Sequence, residues 1–475
     1  MLTIDDLPDD VFLKIFNLYT KIGYRDPAFN ETNDYESWQL LVHVCRRWRC
    51  LVFGSPRLLN LQLRWKPRTS TRKSLDVWPA LPLVIRGMVT EELVDNLNAF
   101  SGLEHRISQI ELGCVLSSQT ANEKFWTAMQ VPFPELEILC LSSRGSSNGP
   151  VDPVLPDTLL GGSAPRLRFL RLISIPFPGL PKLLLSATHL VNICLHDIPY
   201  SGYISPEAMA TCLSTLTSLE RLYVVFGSPH YRSPDLKSQS SFPPTRSVIP
   251  TLKSFRFKGV IKYLEEFVAR VDAPQLYQVL TTFFYDIDGG FKVPELGQFI
   301  NRTPILDAND EAHIIFEGDK ALLRLRQSHP EPSDHIVEVH FLCGLPHWQF
   351  SSLQIFTSSL CLFLTIENLY IDGNLRSASE WNYGSIWNTE WLDLLLPFTA
   401  VKNLYVSEPL SPRIALVLQE LTGARITEVL PALQQVLLEG FQPSEPVQEG
   451  IAQFISARQL TNHPVAISAW HRVGG

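Results

Sequence analysis

Three things are scarce in this chain of 475 residues: surplus positive charge, long apolar runs and paired cysteines. Lys and Arg number 40 against 48 Asp and Glu, a formal net charge of −8. A nucleic-acid-binding face usually shows as a surplus of Lys and Arg, so no nucleic-acid partner is expected. Local basic runs occur at "CRRWRC" and between Arg64 and Lys73, the latter reading as a solvated linker. No apolar run approaches the ~20 residues that a membrane-spanning helix needs, so no membrane partner is expected either. The opening "MLTIDDLPDD" is acidic where a secretory signal peptide would be basic. The eight cysteines are scattered without a CxxC, mostly inside apolar runs such as "EILCLSS" and "VNICLHD". They read as buried free thiols, which fits a reducing cytoplasm or nucleus.

Catalytic signatures are equally sparse. "GSSNG" at Gly145–Gly149 formally fits G-x-S-x-G, but Pro150 and Pro153 follow where a nucleophile elbow needs a helix. His335, His340, Cys343 and His347 lie near one another in sequence, without the spacing of a closed zinc site. "DIDGG" at Asp286–Gly290 lacks the Glu and the regular acidic spacing of a calcium loop, and reads as a turn. There is no P-loop and no dinucleotide fingerprint. The expectation is a chain that catalyses nothing and carries no metal and no cofactor.

What the chain does have is a repeat. "PELEILCL", "PRLRFLRL", "PTLKSFRF" and "PALQQVLL" share the form P-x-L-x-x-L-x-L, with Thr often replacing Pro. Anchored on the last apolar residue, good matches end at Leu63, Leu112, Leu141, Leu172, Leu195, Val224, Phe257, Phe341, Ile371, Val406 and Leu438. Weaker ones end at Ile85, Thr281 and Phe316. The mean spacing is about 29 residues, as in an irregular leucine-rich-repeat array. L-x-L is a short strand whose two apolar side chains enter a core. Between strands lie segments of helical period, such as "PEAMATCLSTL", "KYLEEFVARV" and "RIALVLQEL". Strand and helix in alternation stack into a solenoid with a parallel sheet on the concave face and helices on the convex face, an α/β fold. The Asn or Cys that builds a buried ladder in regular repeats is mostly absent three residues past the anchor, where Arg144, Ile175, Val260 and Pro409 stand. Residues 142–162, 227–247 and 372–390 are rich in Pro, Ser or Gly and are expected as surface loops.

The N-terminus differs. In "MLTIDDLPDDVFLKIF" Asp6 can serve as N-cap, Pro8 sits near the first helical position, and Asp9 and Asp10 suit the positive end of the helix dipole. Leu7, Val11, Phe12, Ile15, Phe16, Leu18 and Tyr19 cover more than a single stripe, so this helix needs cover on two sides. A second apolar-periodic stretch follows, "WQLLVHVCRRWRCLVFGSP". Leu7-Pro8-x-x-Val11-x-x-x-Ile15-Phe16, followed by Val44-Cys45-Arg46-Arg47-Trp48, resembles the F-box over about residues 4–60. The chain as a whole, with "LPDTLLGGSAPRLRFLRLISIPFP" and "PFTAVKNLYVSE", also resembles a large group of F-box proteins of mushroom-forming fungi. The resemblance implies an F-box domain at 1–60, a leucine-rich-repeat solenoid at 61–444 and a capping segment at 445–475. It also implies docking on the Skp adaptor of cullin-based (SCF) ubiquitin ligases, and through it a link to cullin and RING subunits. Leu7, Pro8, Val11, Ile15, Phe16, Val44, Cys45 and Trp48 would form or support the adaptor contact. The same residues would otherwise make a three-helix cap on the solenoid, as part of an interaction scaffold outside a ligase. Arg46, Arg47 and Arg49 read as the solvated and pairing face of their helix.

A target protein would meet the sheet. In L-x-L the middle residue points opposite to its neighbours. Taken along the anchors, that row is Gln62, Val84, Glu111, Cys140, Arg171, Cys194, Tyr223, Arg256, Leu280, Ile315, His340, Tyr370, Tyr405 and Leu437. Binding hot spots favour Tyr, Trp and Arg, which singles out Arg171, Tyr223, Arg256, Tyr370 and Tyr405 as the expected recognition residues.

Overall fold

Every one of the fourteen repeat anchors lies in a strand, and none exposes more than 3% of its surface. The computed structural model describes residues 7–21, 37–56, 58–59, 61–67, 79–143, 155–176, 180–199, 204–227, 246–284, 292–327, 336–343, 346–359, 361–374, 386–421, 425–440 and 445–471. The "GSSNG" and "DIDGG" segments, His335, Asp6 and most of the 227–247 stretch lie outside the described residues. The stretch at 372–390 is not all loop, because the helix Ile386–Leu395 begins within it. The chain forms two compact units, Met1–Leu190 and Val191–Gly475.

The first unit begins with three helices, α1 (Asp9–Lys21), α2 (Ser37–Val42) and α3 (Arg46–Gly54). Among the described residues five strands follow: β1 (Leu63–Trp65), β2 (Leu83–Thr90), β3 (Ile107–Val115), β4 (Ile138–Ser143) and β5 (Phe169–Ile173). They pair in parallel in chain order. Helical segments separate them, including Gln119–Ala128, whose first turn is capped by the Ser118 hydroxyl accepting the Ala121 N–H at 3.2 Å.

The second unit holds β6 (Asn192–Ile198), β7 (Arg221–Phe226), β8 (Ser247–Val248), β9 (Ser254–Gly259), β10 (Val271–Asp272), β11 (Gln278–Phe284), β12 (Glu311–Glu317), β13 (Lys320–Arg326), β14 (Ile336–Leu342), β15 (Asn368–Asn374), β16 (Asn403–Val406), β17 (Gln435–Glu439) and β18 (Ala466–Trp470). Its main sheet runs β6-β7-β9-β11-β14-β13-β12-β15-β16-β17-β18, with β8 and β10 paired apart. One stretch breaks the parallel rule. β12 and β13 form an antiparallel hairpin, and β13 is antiparallel to β14 as well. The turn is Gly318-Asp319, with Gly318 at φ +45° in the first turn position, where a two-residue hairpin needs a positive φ. Phe316 is therefore a hairpin residue and not the anchor of a strand–helix repeat. The C-terminal segment, expected as a cap, adds a helix (Glu445–Leu460) and a strand of its own, with β18 parallel to β17.

Register corrects the sequence alignment in three places. Leu63 pairs with Leu83 and Ile85 with Ile110, while Leu112, Leu141 and Leu172 pair with one another. The anchor of β1 thus stands two residues short of that of β2, which stands two residues short of Leu112. Phe341 pairs with Phe283, so Val339 is the partner of Thr281. Ile371 pairs with Ile314, and Phe316 pairs with Gly373. Apolar alternation has period two and cannot distinguish registers that differ by two residues.

The repeats are tied together by the backbone where an Asn ladder is lacking. The carbonyl just before a strand accepts two N–H groups from the next repeat. Glu137 O takes Arg168 (2.8 Å) and Phe169 (3.1 Å), and Glu220 O takes Lys253 (2.9 Å) and Ser254 (3.0 Å). Val191, Lys253, Asp310, Glu367 and Lys402 repeat the pattern. Ion pairs decorate the same positions, Lys253 with Glu220 at 2.8 Å and Lys402 with Glu367 at 2.6 Å.

Among the described residues one charged side chain is fully buried. Arg458, on the helix Glu445–Leu460, donates through Nη2 to Val429 O (3.1 Å) and Leu430 O (2.7 Å), the two carbonyls just past the helix Arg425–Glu428. Burial pulls its pKa down. Because those carbonyls have no water to turn to, Arg458→Ala is expected to destabilise the second unit by about 2–4 kcal/mol, read as a lower urea midpoint.

Candidate binding surfaces

Two surfaces carry the residues expected to bind partners. The first is α1. Pro8 O accepts the N–H of Val11 (3.1 Å) and Phe12 (3.2 Å), so Pro8 sits one place earlier than expected, at the N-cap. The helix divides its apolar residues between two faces. Phe12 and Phe16, four apart, are buried. They enclose Trp48 of α3, with ring centroids at 5.6 and 4.8 Å. The adjoining stripe Val11, Ile15 and Leu18 faces outward, with Ile15 at 45% and Leu18 at 65% exposure. Pro8, Tyr19, Leu40 and Val44 are also exposed, and Leu7 is half-buried.

Arg47 fastens this arrangement. Its Nη2 donates to Leu7 O (2.7 Å) and to Asp9 Oδ1 (2.6 Å), and its guanidinium carbon lies 4.8 Å from the Phe12 ring centre. Cys45 Sγ accepts the Trp48 N–H at 3.4 Å and so caps α3. The expected adaptor residues therefore separate by role. Pro8, Ile15 and Val44 are free to touch a partner, and Leu7 and Val11 are partly so. Phe16 is core, a position that supports the face without meeting a partner. Cys45 and Trp48 are half-buried, one as a cap and the other as the aromatic wedge. Leu18, absent from the expected site, extends the stripe; the i, i+4, i+7 spacing from Val11 is the signal that reveals it.

The second surface is the polar face of the sheets. Arg171 lies on β5 in the first unit, half-buried and level with Cys140. Gln62 lies outside any strand and Val84 is buried, so neither belongs to the face. In the second unit Tyr223 stands level with Arg256, which is level with Leu280. From there the row continues through Glu338, Arg324, His313, Tyr370 and Tyr405. Register thus puts Glu338 and His313 where His340 and Ile315 were expected.

This row builds two matching ionic clusters and a stack of rings. β12 and β14 each carry E-x-H, and β13 between them carries R-x-R. Arg324 Nε donates to Glu338 (2.8 Å), and Arg326 Nε donates to Glu311 (2.7 Å). His340 and His313 each meet the Glu two residues earlier on their own strand. Hydrogen bonds from His340 and Arg324 hold the Glu338 carboxyl down at about 2, and those from His313 and Arg326 do the same for Glu311. Burial pushes His313 below its ordinary value, so the neutral ring faces Glu311 at pH 7. The His313 ring stacks on Tyr370 at 4.2 Å, Tyr370 stacks on Tyr405 at 4.1 Å, and Trp470 stands edge-on to both tyrosines. Burial, with the charge of Glu311 adding to it, raises the Tyr370 phenol.

The remaining sequence candidates fare differently. Cys343 is buried and His340 is engaged with Glu338; among the described residues no group of three or more His, Cys, Asp or Glu is placed to hold a metal ion. Cys114, Cys194 and Cys212 are buried too, and burial lifts the Cys114 thiol to about 12, whereas Cys50 is exposed. No described helix is long and apolar enough to cross a membrane.

No protein-family model matches the chain, and no curated protein sequence matches it. Among solved structures, the leucine-rich repeat-containing protein LegL7 from Legionella pneumophila aligns at 11% identity over 75% of this chain and 93% of that chain. The TM-score is 0.28, which carries no argument about fold or function. The repeat architecture stands on the strands and registers themselves.

The Glu311 carboxyl is depressed below its ordinary 4.5, so its contribution to stability is present above pH 4.5 and is lost as pH falls toward about 2. Glu311→Gln is expected to destabilise the protein by about 1–3 kcal/mol at pH 7, because it leaves Arg326 without its carboxylate. In urea titrations across pH, that deficit should shrink steadily below pH 4.5.

Proposed function

We propose that the protein is the substrate-recognition subunit of an SCF-type E3 ubiquitin ligase. In this reading the face of α1 docks on the Skp adaptor, which links the chain to cullin and RING subunits, and the repeat array holds a target protein. The observation that carries the reading is the division of α1. Phe12 and Phe16 face inward on Trp48, while Val11, Ile15 and Leu18 face outward as an apolar stripe at helical spacing. Such a stripe costs solubility unless another protein covers it. The F-box motif in the same residues names the partner that would do so.

The protein itself catalyses nothing in this mechanism. It acts by holding a target lysine near a ubiquitin-charged enzyme, which raises the effective concentration of the reacting groups. The stacked Tyr370 and Tyr405, with Arg256 and Tyr223 level with each other on neighbouring strands, support target binding by the sheet. The assignment places the chain in the cytoplasm or nucleus.

The test is capture of the purified Skp adaptor by wild type and by Ile15→Asp with Leu18→Asp. Both positions are exposed, so the variant should unfold at the temperature of the wild type. Its dissociation constant for the adaptor should rise roughly 30-fold or more, about 2 kcal/mol or more. Folded wild type that fails to bind the adaptor would leave α1–α3 as the cap of an interaction scaffold. Adaptor binding without cullin in the purified complex would place the protein outside the ligase.

A further inference from the structure

In a chain of net charge −8, one strip of the polar face in the second unit is basic. On β9 Arg256 is exposed and Lys258 is half-exposed, and among the described residues neither meets a carboxylate. Lys258 Nζ lies 5.2 Å from the Phe284 ring centre. On β13 Arg324 and Arg326 do have carboxylate partners, but these are the more buried member of each pair. Glu338 and Glu311 keep only 13% and 10% of their side-chain surface, whereas the two arginines keep 36% and 46%. Both ion pairs run through Nε. Among the described residues the terminal nitrogens of each guanidinium are left as donors, with the fork geometry that takes a second carboxylate. Solvent therefore meets guanidinium and ammonium groups here, with Tyr223 beside Arg256 as an aromatic neighbour.

We infer that this strip, Tyr223, Arg256, Lys258, Arg324 and Arg326, docks an acidic, extended segment of a partner protein. The inference rests on the target-binding half of the proposed function and names the chemistry of that target. The strip crosses β7, β9, β11, β14 and β13, a span of about 19 Å at ordinary strand spacing. That suits about six residues of extended peptide bearing carboxylates on one side. Charge complementarity of this kind sets orientation and rejects basic segments, which meet like charge. A nucleic acid is the poorer fit, because its long phosphate backbone would extend beyond the strip onto a chain of net negative charge.

The experiment measures fluorescence anisotropy of a labelled Glu- and Asp-rich peptide against the full chain, with a Lys- and Arg-rich peptide and oligouridine as comparators. The acidic peptide alone should bind, and more weakly as salt rises. Arg256→Glu with Lys258→Glu should weaken binding roughly tenfold or more, and the milder Arg256→Gln with Lys258→Gln by less. Lys124→Glu with Lys182→Glu makes the same change in net charge at exposed sites of the first unit and should leave affinity unchanged. Absence of acidic-peptide binding, equal loss in the Lys124/Lys182 variant, or equally tight oligouridine would overturn the inference. A urea midpoint equal to that of the wild type confirms that the β9 variants fold. A wild type that binds the peptide but not the adaptor would refute the ligase reading while leaving this one standing.

Discussion

The architecture depends on one recurring hydrogen-bonding pattern, a carbonyl just before a strand that accepts two N–H groups from the neighbouring repeat. Glu137, Val191, Glu220, Lys253, Asp310, Glu367 and Lys402 all do this. A regular repeat uses a buried side-chain ladder to hold neighbours in step. Here the main chain does so, and any residue can supply a carbonyl. That is why Glu, Lys, Val and Asp occupy equivalent places and why the sequence between strands is free to vary. Once those bonds fix the register, everything on the polar face follows from it. His313, Tyr370 and Tyr405 stack because the strands that carry them are aligned to the residue.

The strands were legible in the sequence, and their alignment was not. L-x-L marks two inward side chains, and all fourteen anchors are buried. Period two leaves the register open, and so Glu338 and His313, not His340 and Ile315, join the row of Tyr370. The hairpin was written in "EAHIIFEGDKALLRLRQ", where a Gly-Asp pair separates two alternating apolar runs. Its apolar alternation also fits the repeat pattern, which hid it. At the N-terminus the surplus of apolar residues on α1 was plain. Which of them turn inward depended on Trp48, nearly thirty residues past the end of that helix, and no local pattern specifies that.

The two surfaces differ in how they are made ready. On α1 an aromatic wedge and the Arg47 clamp hold an apolar stripe rigid, so little conformational freedom remains to be lost on docking. On the sheet Arg324 and Arg326 are held by more buried carboxylates, which leave part of each arginine exposed. Under the proposed readings, a preformed apolar stripe and a preset charged face would suit different partners, one constant in shape and one defined by its charge.

The hairpin has a consequence for how the second unit assembles. Parallel neighbours in this array lie one or two repeats apart in sequence, and a long connection must close before each pair can form. β12, β13 and β14 are consecutive and antiparallel, and the β12–β13 connection is only two residues long. Hairpins of this kind form in about 1–10 μs. The meander is thus the part of the unit that can order first and offer finished edges on both sides. Parallel strands can then add to it outward, β11 on one flank and β15 on the other, so the meander that bears the two ionic clusters can serve as a seed for the sheet.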